Sequence, residues 1–272
     1  HEKLNTFRIK IGYPDEWRNY DGLEIDEKLS FFENLRRAAE FDHAYEIARR
    51  VNKPVDRNEW YMTPQTINAY YDPTTNEICF PAGILQAPFF DPAADDAANY
   101  GAIGVVIGHE MTHGFDDQGS QFDKEGNLRN WWTPQDKANF KARTERMVRF
   151  FDGIEVLPGL HCNGALTCGE NIADHGGLKV AYQAFRNATA RNPLPKFEGF
   201  TPDQRFFISY AQVWANNIRP EALRNQVKTD PHAPGRWRVN GALPQIDAWY
   251  NAFGIKKGDK LFVPKNKRVD VW

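Results

Sequence analysis

Two histidines and a glutamate stand together in Val105-Val106-Ile107-Gly108-His109-Glu110-Met111-Thr112-His113, an H-E-x-x-H pentad on an apolar run. On a helix, residues four apart stack on one face, so His109 and His113 would present both imidazoles to one point. Two imidazoles so placed can hold a zinc ion, and Glu110 lies just round the helix, in reach of water at the metal. A hydrolytic zinc site needs a third protein ligand from a separate element and keeps a fourth position for water. Glu170, in Gly169-Glu170-Asn171-Ile172-Ala173-Asp174, fits: it is a carboxylate in the first turn of a predicted helix, 57 residues after His113. Alone, an acidic residue at a helix start only complements the macrodipole. Asp174, one turn on, lies on the same face and can accept a hydrogen bond from a ligand histidine, fixing its tautomer.

These side chains need two helices. The first is predicted from about Asp95 to Phe115, with Ile103, Val106, Ile107 and Met111 as its buried stripe. Gly101, Gly104 and Gly108 are each unfavourable inside it by about 1 kcal/mol against Ala, which points to close packing or room for a substrate. The second is predicted from Gly169 to about Arg191, with Ile172, Leu178, Ala181, Tyr182 and Phe185 as its apolar face, closed by Pro193 and Pro195. Upstream, Thr66–Tyr71 and Glu77–Phe80 flank a Pro/Asn turn and read as a hairpin. It is either an ordinary core hairpin or an exposed edge on which an extended peptide pairs as an added strand. Phe7, Ile9 and Ile11 alternate as a strand, and Ile25 to Val51 reads as a helix with a charged, solvated face. Further helices are predicted at Pro134–Phe151 and Pro202–Ile218, the latter turning Phe206, Phe207, Tyr210, Val213 and Trp214 inward. The end of the chain reads as short turns and strands. The whole is an α+β fold, mostly α-helical with a small sheet, organised as one lobe over residues 1–272.

Composition narrows the partners. Hydrophobic and charged fractions of 41% and 26% are ordinary for a globular chain of 272 residues. A net charge of −2 argues against a nucleic-acid binder that relies on a basic surface. No apolar stretch approaches the ~18 residues of a membrane span, so no membrane contact is expected within these residues. Aromatic residues at 14%, with 8 Trp, suit a large core or a peptide groove. Cys79 reads as a small core residue, while Cys162 and Cys168 bracket a five-residue loop as a disulfide or as two free thiols.

The decade Gly108-His109-Glu110-Met111-Thr112-His113-Gly114-Phe115-Asp116-Asp117, with Glu170-Asn171-Ile172-Ala173-Asp174 downstream, resembles the neprilysin / endothelin-converting-enzyme family of zinc peptidases. So do Asn68-Ala69-Tyr70-Tyr71, Phe80-Pro81-Ala82-Gly83-Ile84-Leu85-Gln86, Ala211-Gln212-Val213-Trp214 and Asp230-Pro231-His232-Ala233-Pro234-Gly235-Arg236-Trp237-Arg238-Val239. The resemblance runs through almost the whole chain in the family's order. It implies a thermolysin-like catalytic lobe with one Zn2+ per chain, held by His109, His113 and Glu170. It further implies Glu110 as general base, Asp174 behind the ligands, and His232 as the group stabilising the transition state. Asn68 and Ala69 match the strand that binds substrate backbone, and Arg238 the arginine that binds a substrate carbonyl. Phe89, Val105, Val106, Val213 and Trp214 fall where the family lines its pocket for the residue after the scissile bond. The implied activity is endopeptidase cleavage of oligopeptides before bulky apolar residues.

Family members usually carry several hundred further N-terminal residues, including a helical lobe over the cleft, so the chain is expected to be the C-terminal catalytic part. Asp270, where many animal members have cysteine, suggests a bacterial-type member. The family's habit of export or membrane anchoring implies the same for the intact protein. Two other readings compete. One is a catalytically silent peptide-binding or adhesion module that keeps the fold. The other is a structural zinc domain, against which a two-His, one-Glu donor set with an open position argues.

Overall fold

The computed structural model describes residues 1–271. The alternating run after a one-turn helix α1 (Glu2–Asn5) forms strand β1 (Arg8–Gly12). A long helix α2 (Phe31–Arg50) follows, then the hairpin strands β2 (Tyr70–Asp72) and β3 (Glu77–Pro81). The chain divides into two compact units, one of His1–Gly12 with Pro64 onward, the other Tyr13–Thr63. In the smaller unit, α2 starts at Phe31 because the Ser30 hydroxyl accepts the Glu33 N–H and caps the helix there, six residues after the expected start. None of its residues is buried.

In the larger unit the sheet order is β1-β3-β2, with β1 parallel and β2 antiparallel to β3. Central β3 is buried at every position, as a strand paired on both sides must be, and β2 is an edge. Pairing starts at Tyr70 opposite Cys79 rather than at Thr66. Two places further along that register Asn68 would face Pro81, which has no N–H to give. The Asn68 side chain instead accepts the Ala69 N–H at 2.9 Å.

The motif helix is not uniform. Helix α3 (Asp96–Asn99) passes through one π-turn (Tyr100–Gly104) into α4 (Val105–His113). The extra residue of a π-turn rotates everything after it by about 100°. Ile107, expected in the buried stripe, is 39% exposed, whereas Val105 is buried.

Downstream come α5 (Pro134–Asp152), a small ribbon of β4 (Glu155–Leu157) and β5 (Leu160–His161), and α6 (Cys168–Thr189). Helix α7 (Pro202–Val213) stops five residues short of the expected end, with Trp214 outside the helix. The expected terminal strands are instead helices α8 (Pro220–Thr229), α9 (Gly235–Ala242) and α10 (Asp247–Phe253). Pro220 and Pro234 stand at the first turn and the cap of helices, where a missing N–H leaves nothing unsatisfied.

One apolar core joins Leu178 and Phe185 of α6 to Phe206, Phe207 and Tyr210 of α7 and Trp249 and Tyr250 of α10. A second joins Met147 and Phe151 of α5 to Ile172, Val269 and Val271. Cys162 and Cys168 lie in this second core as free thiols, so the disulfide alternative is not realised, and Cys79 is fully buried in β3. Among the described residues no helix is long and apolar enough to cross a membrane.

Candidate metal centre and active site

Helices α4 and α6 meet through glycine. A Cβ on Gly108 would lie 2.9 Å from Gly177 Cα, and one on Gly177 would lie 2.7 Å from the Val105 carbonyl oxygen. Backbones thus touch where side chains would otherwise keep helices 8–10 Å apart. Gly101 is close-packed too, against the Phe206 carbonyl, whereas Gly104 has ordinary clearance. The contact brings Glu170 and Asp174 against the two histidines.

His109 Nε2 lies 2.9 Å from His113 Nε2 and 3.2 Å from Glu170 Oε2, and His113 Nε2 lies 3.6 Å from Glu170 Oε1. The outer nitrogens are taken: His109 Nδ1 is 2.9 Å from Asp174 Oδ1 and His113 Nδ1 is 2.7 Å from Asp116 Oδ2. If each Nδ1–H donates to its carboxylate, the two Nε2 atoms would turn lone pairs toward each other, an arrangement that a cation between them would relieve. Glu170 Oε2 is buried without a hydrogen-bond partner. One donor atom from each of His109, His113 and Glu170 falls within a group spanning at most 4.8 Å. Two imidazoles and a carboxylate with a free side suit a divalent metal, and the residues present fit one.

The electrostatics agree. Burial disfavours a charged His109, but the Asp174 and Glu170 carboxylates beside it outweigh this and lift its pKa to about 10, so the polypeptide favours positive charge here. Burial also disfavours ionised Glu170, yet His109 Nε2, 3.2 Å away, and the charges of His109, His113 and Arg238 hold it well below the ordinary carboxylate range. Asp174 is held low in the same way, chiefly by Arg238 against burial. Glu110 differs: burial raises its pKa and the neighbouring cations do not fully offset this. A carboxylate of raised basicity beside a metal is suited to accept a proton.

Arg238, from α9, donates from Nε and Nη2 to the two oxygens of Asp174 at 2.7 and 2.6 Å and stacks 3.8 Å from the centre of the Trp214 ring. His232 sits in the loop before α9, where Asp230 Oδ1 accepts its backbone N–H at 2.8 Å and lies 2.7 Å from its Nδ1. This turns its Nε2 to within 3.3 Å of Glu170 Oε1. Phe89 is tied in place by its carbonyl, which accepts the Ile103 N–H at 2.9 Å.

All the residues singled out from sequence line one cleft of about 420 Å³: the metal donors, Glu110, Asp174, His232 and Arg238 at its floor, Asn68 and Ala69 along one side. Phe89, Val105, Val106, Val213 and Trp214 form an apolar wall of the same cleft. Asp116, just past the end of the motif helix, has no role in the sequence reading; its place three residues after His113 was the available signal. Besides holding His113 it accepts the N–H groups of Gln118 and Gly119 at 2.9 and 2.7 Å.

A paired-histidine and glutamate centre in a mostly helical lobe, under a cleft bordered by a sheet edge, defines a thermolysin-like metallopeptidase lobe. The profile of Peptidase family M13 matches residues 68–269, and the chain belongs to that family. An endothelin-converting enzyme homolog of Locusta migratoria is 43% identical over an alignment 282 positions long that covers 100% of this chain and 38% of that protein. A neutral endopeptidase of Lactobacillus helveticus is 41% identical over 99% of this chain and 40% of its own length. Among solved structures, a Mycobacterium tuberculosis zinc metalloprotease, Zmp1, in complex with an inhibitor superposes with a TM-score of 0.95 at 46% identity. That match covers 99% of this chain and 42% of the other. The chain thus spans about two fifths of the length of these relatives.

Proposed function

We propose that the chain is the catalytic part of a zinc endopeptidase that hydrolyses oligopeptides before bulky apolar residues. The convergence of His109 Nε2, His113 Nε2 and Glu170 on one point, with buried Glu110 beside it, carries the reading. Zinc is the metal that suits a two-imidazole, one-carboxylate set, and when bound it acidifies water to a pKa of about 7 and polarises a carbonyl.

The chain's own groups perform the rest. Glu110 accepts the proton of the attacking water and hands it to the departing amide nitrogen, a transfer typically worth about 10²- to 10⁴-fold. His232 Nε2, held by Asp230, faces the charge that develops on the carbonyl oxygen; one such donor contributes about 3–4 kcal/mol. Asn68 and Ala69 lie off the sheet ladder beside edge strand β2, where an extended peptide would pair, the Ala69 N–H exchanging its bond to the Asn68 side chain for one to substrate. The wall of Phe89, Val105, Val106, Val213 and Trp214 favours an apolar side chain after the scissile bond. Arg238 fixes Asp174, and through it His109, while its face on the cleft meets a substrate carbonyl.

The test separates metal from chemistry. In the intact protein, Glu110→Ala should retain one equivalent of zinc and lose peptide hydrolysis by at least about a hundredfold. Turnover like that of the wild type would sink the mechanism. Less than about half an equivalent of zinc in the wild type, with no gain on adding it, would favour a silent peptide-binding module.

A further inference from the structure

Lys3 lies in the first turn of the chain, 116 residues from the loop that follows the metal helix, and is only 5% exposed. Its ammonium donates to the Gly119 carbonyl at 2.7 Å and to the Phe122 carbonyl at 2.8 Å. The rings of Tyr71, Phe115 and Trp131 surround it, with centres 5.8, 5.7 and 5.7 Å from Nζ. Its own carbonyl accepts the side-chain N–H of Asn76 at 3.0 Å, in the turn between β2 and β3.

The loop it grips leads directly to the metal centre. The Gly119 N–H is the closest donor to Asp116 Oδ1, at 2.7 Å, and Asp116 Oδ2 holds His113 Nδ1 at the same distance. Gly119 therefore links the two: its carbonyl is fixed by Lys3 and its N–H fixes Asp116. The loop lies close on the end of the metal helix, where a Cβ on Gly119 would fall 1.8 Å from the His113 carbonyl oxygen, so that only glycine fits. Through Tyr71 the same ammonium touches the cleft on its sheet side.

From this geometry we infer that Lys3 is a positioning residue for the metal centre, its buried ammonium fixing the loop whose Asp116 carboxylate orients His113. A neutral side chain would fill the same space without an ion to desolvate. Burial lowers the Lys3 pKa to about 8, even though Asp116 and Asp123 favour its charge, so the cation is held there at the expense of stability. A residue kept only for packing would not be of this kind.

The inference rests on the zinc reading for its functional consequence, and two measurements keep the two apart. First, zinc affinity is measured by chelator competition in the wild type, Lys3→Met, Asp116→Asn and the double variant, alongside kcat and KM. Expected are an affinity loss of about tenfold in Lys3→Met, a fall in kcat at little-changed KM, and no further affinity loss when Lys3→Met is added to Asp116→Asn. Lys3→Gln, which keeps an N–H donor without the charge, should lose less. Affinity within twofold of the wild type in folded Lys3→Met overturns the inference, as does a full loss in the Asp116→Asn background. Should Lys3→Met not fold, Lys3→Gln decides by the same cycle. Second, amide exchange at Gln118 and Gly119 is followed in the zinc-free chain. At least tenfold faster exchange in the variant supports the clamp and unchanged exchange refutes it, whatever the wild type's affinity for zinc.

Discussion

Asp174→Asn isolates the buried charge network behind the metal ligands. Asp174 and Arg238 are 2% and 5% exposed, and the carboxylate takes two bonds from the guanidinium at 2.6 and 2.7 Å besides facing His109 at 2.9 Å. Asparagine has nearly the same shape, so no cavity opens. It offers one oxygen in place of two, and its amide nitrogen must then oppose a donor of Arg238 or His109. Arg238 is left as a buried cation with its closest anion neutralised, a change that typically costs about 3–5 kcal/mol. For a chain of this size that corresponds to a fall in Tm of roughly 10 °C. Urea unfolding of the wild type, Asp174→Asn, Arg238→Met and the double variant gives the pairwise term. The double variant should be more stable than the two single losses summed, by about 2 kcal/mol. Zinc affinity of Asp174→Asn should fall about 10- to 100-fold. An Asp174→Asn chain within about 1 kcal/mol of the wild type would refute the account of this network.

Two further outcomes are expected. His175 is 1% exposed, its Nδ1 is buried without a partner, and burial, helped by the charge of Lys179, lowers its pKa to about 4. Between about pH 6.5 and 4 the unfolded chain binds a proton there that the folded chain refuses. This residue's contribution is therefore complete above pH ~6.5 and is lost as the pH falls, by on the order of 3 kcal/mol; the urea midpoint of His175→Gln should show a shallower acid limb. An identical limb would count against it. Chelation should lower the Tm in a ligand-dependent way, since zinc at 1,000 times its Kd adds about 4 kcal/mol to the folded state. Calorimetry with and without chelator reads this directly.

The metal centre was legible in the sequence because its spacing follows from helix geometry: His109 and His113 one turn apart, Glu170 and Asp174 one turn apart. The helices α5 and α6 were legible for the same reason, since each presents an apolar stripe between clear breakers. What escaped was mostly decided by single residues acting locally. The π-turn at Tyr100–Gly104 left no compositional mark, and neither did the exposure of Ile107 or the burial of Val105. The end of the chain was read as short turns and strands, whereas Pro220 and Pro234 start helices there. Asn68 and Ala69 were read as paired strand, whereas the register runs into Pro81. The positions of His232 and Arg238 came from family resemblance; the α8–α9 loop that aims His232 has no periodicity from which it could have been derived. The division of the chain at Tyr13 and Thr63 is not signalled by any linker composition.

The contact between Gly108 and Gly177 has a bearing on how the family can drift. In most helix pairs a larger residue on one side is accommodated by a smaller one on the other, so two lineages can exchange volumes and keep the same spacing. Here both sides already stand at the smallest residue there is. No partner can shrink in response, and a change at either position is uncompensated from its first appearance. Neither glycine supplies a donor to the metal centre, yet both are barred from the gradual exchange open to the core around them. The separation of the two ligand-bearing helices is thereby inherited as a fixed length.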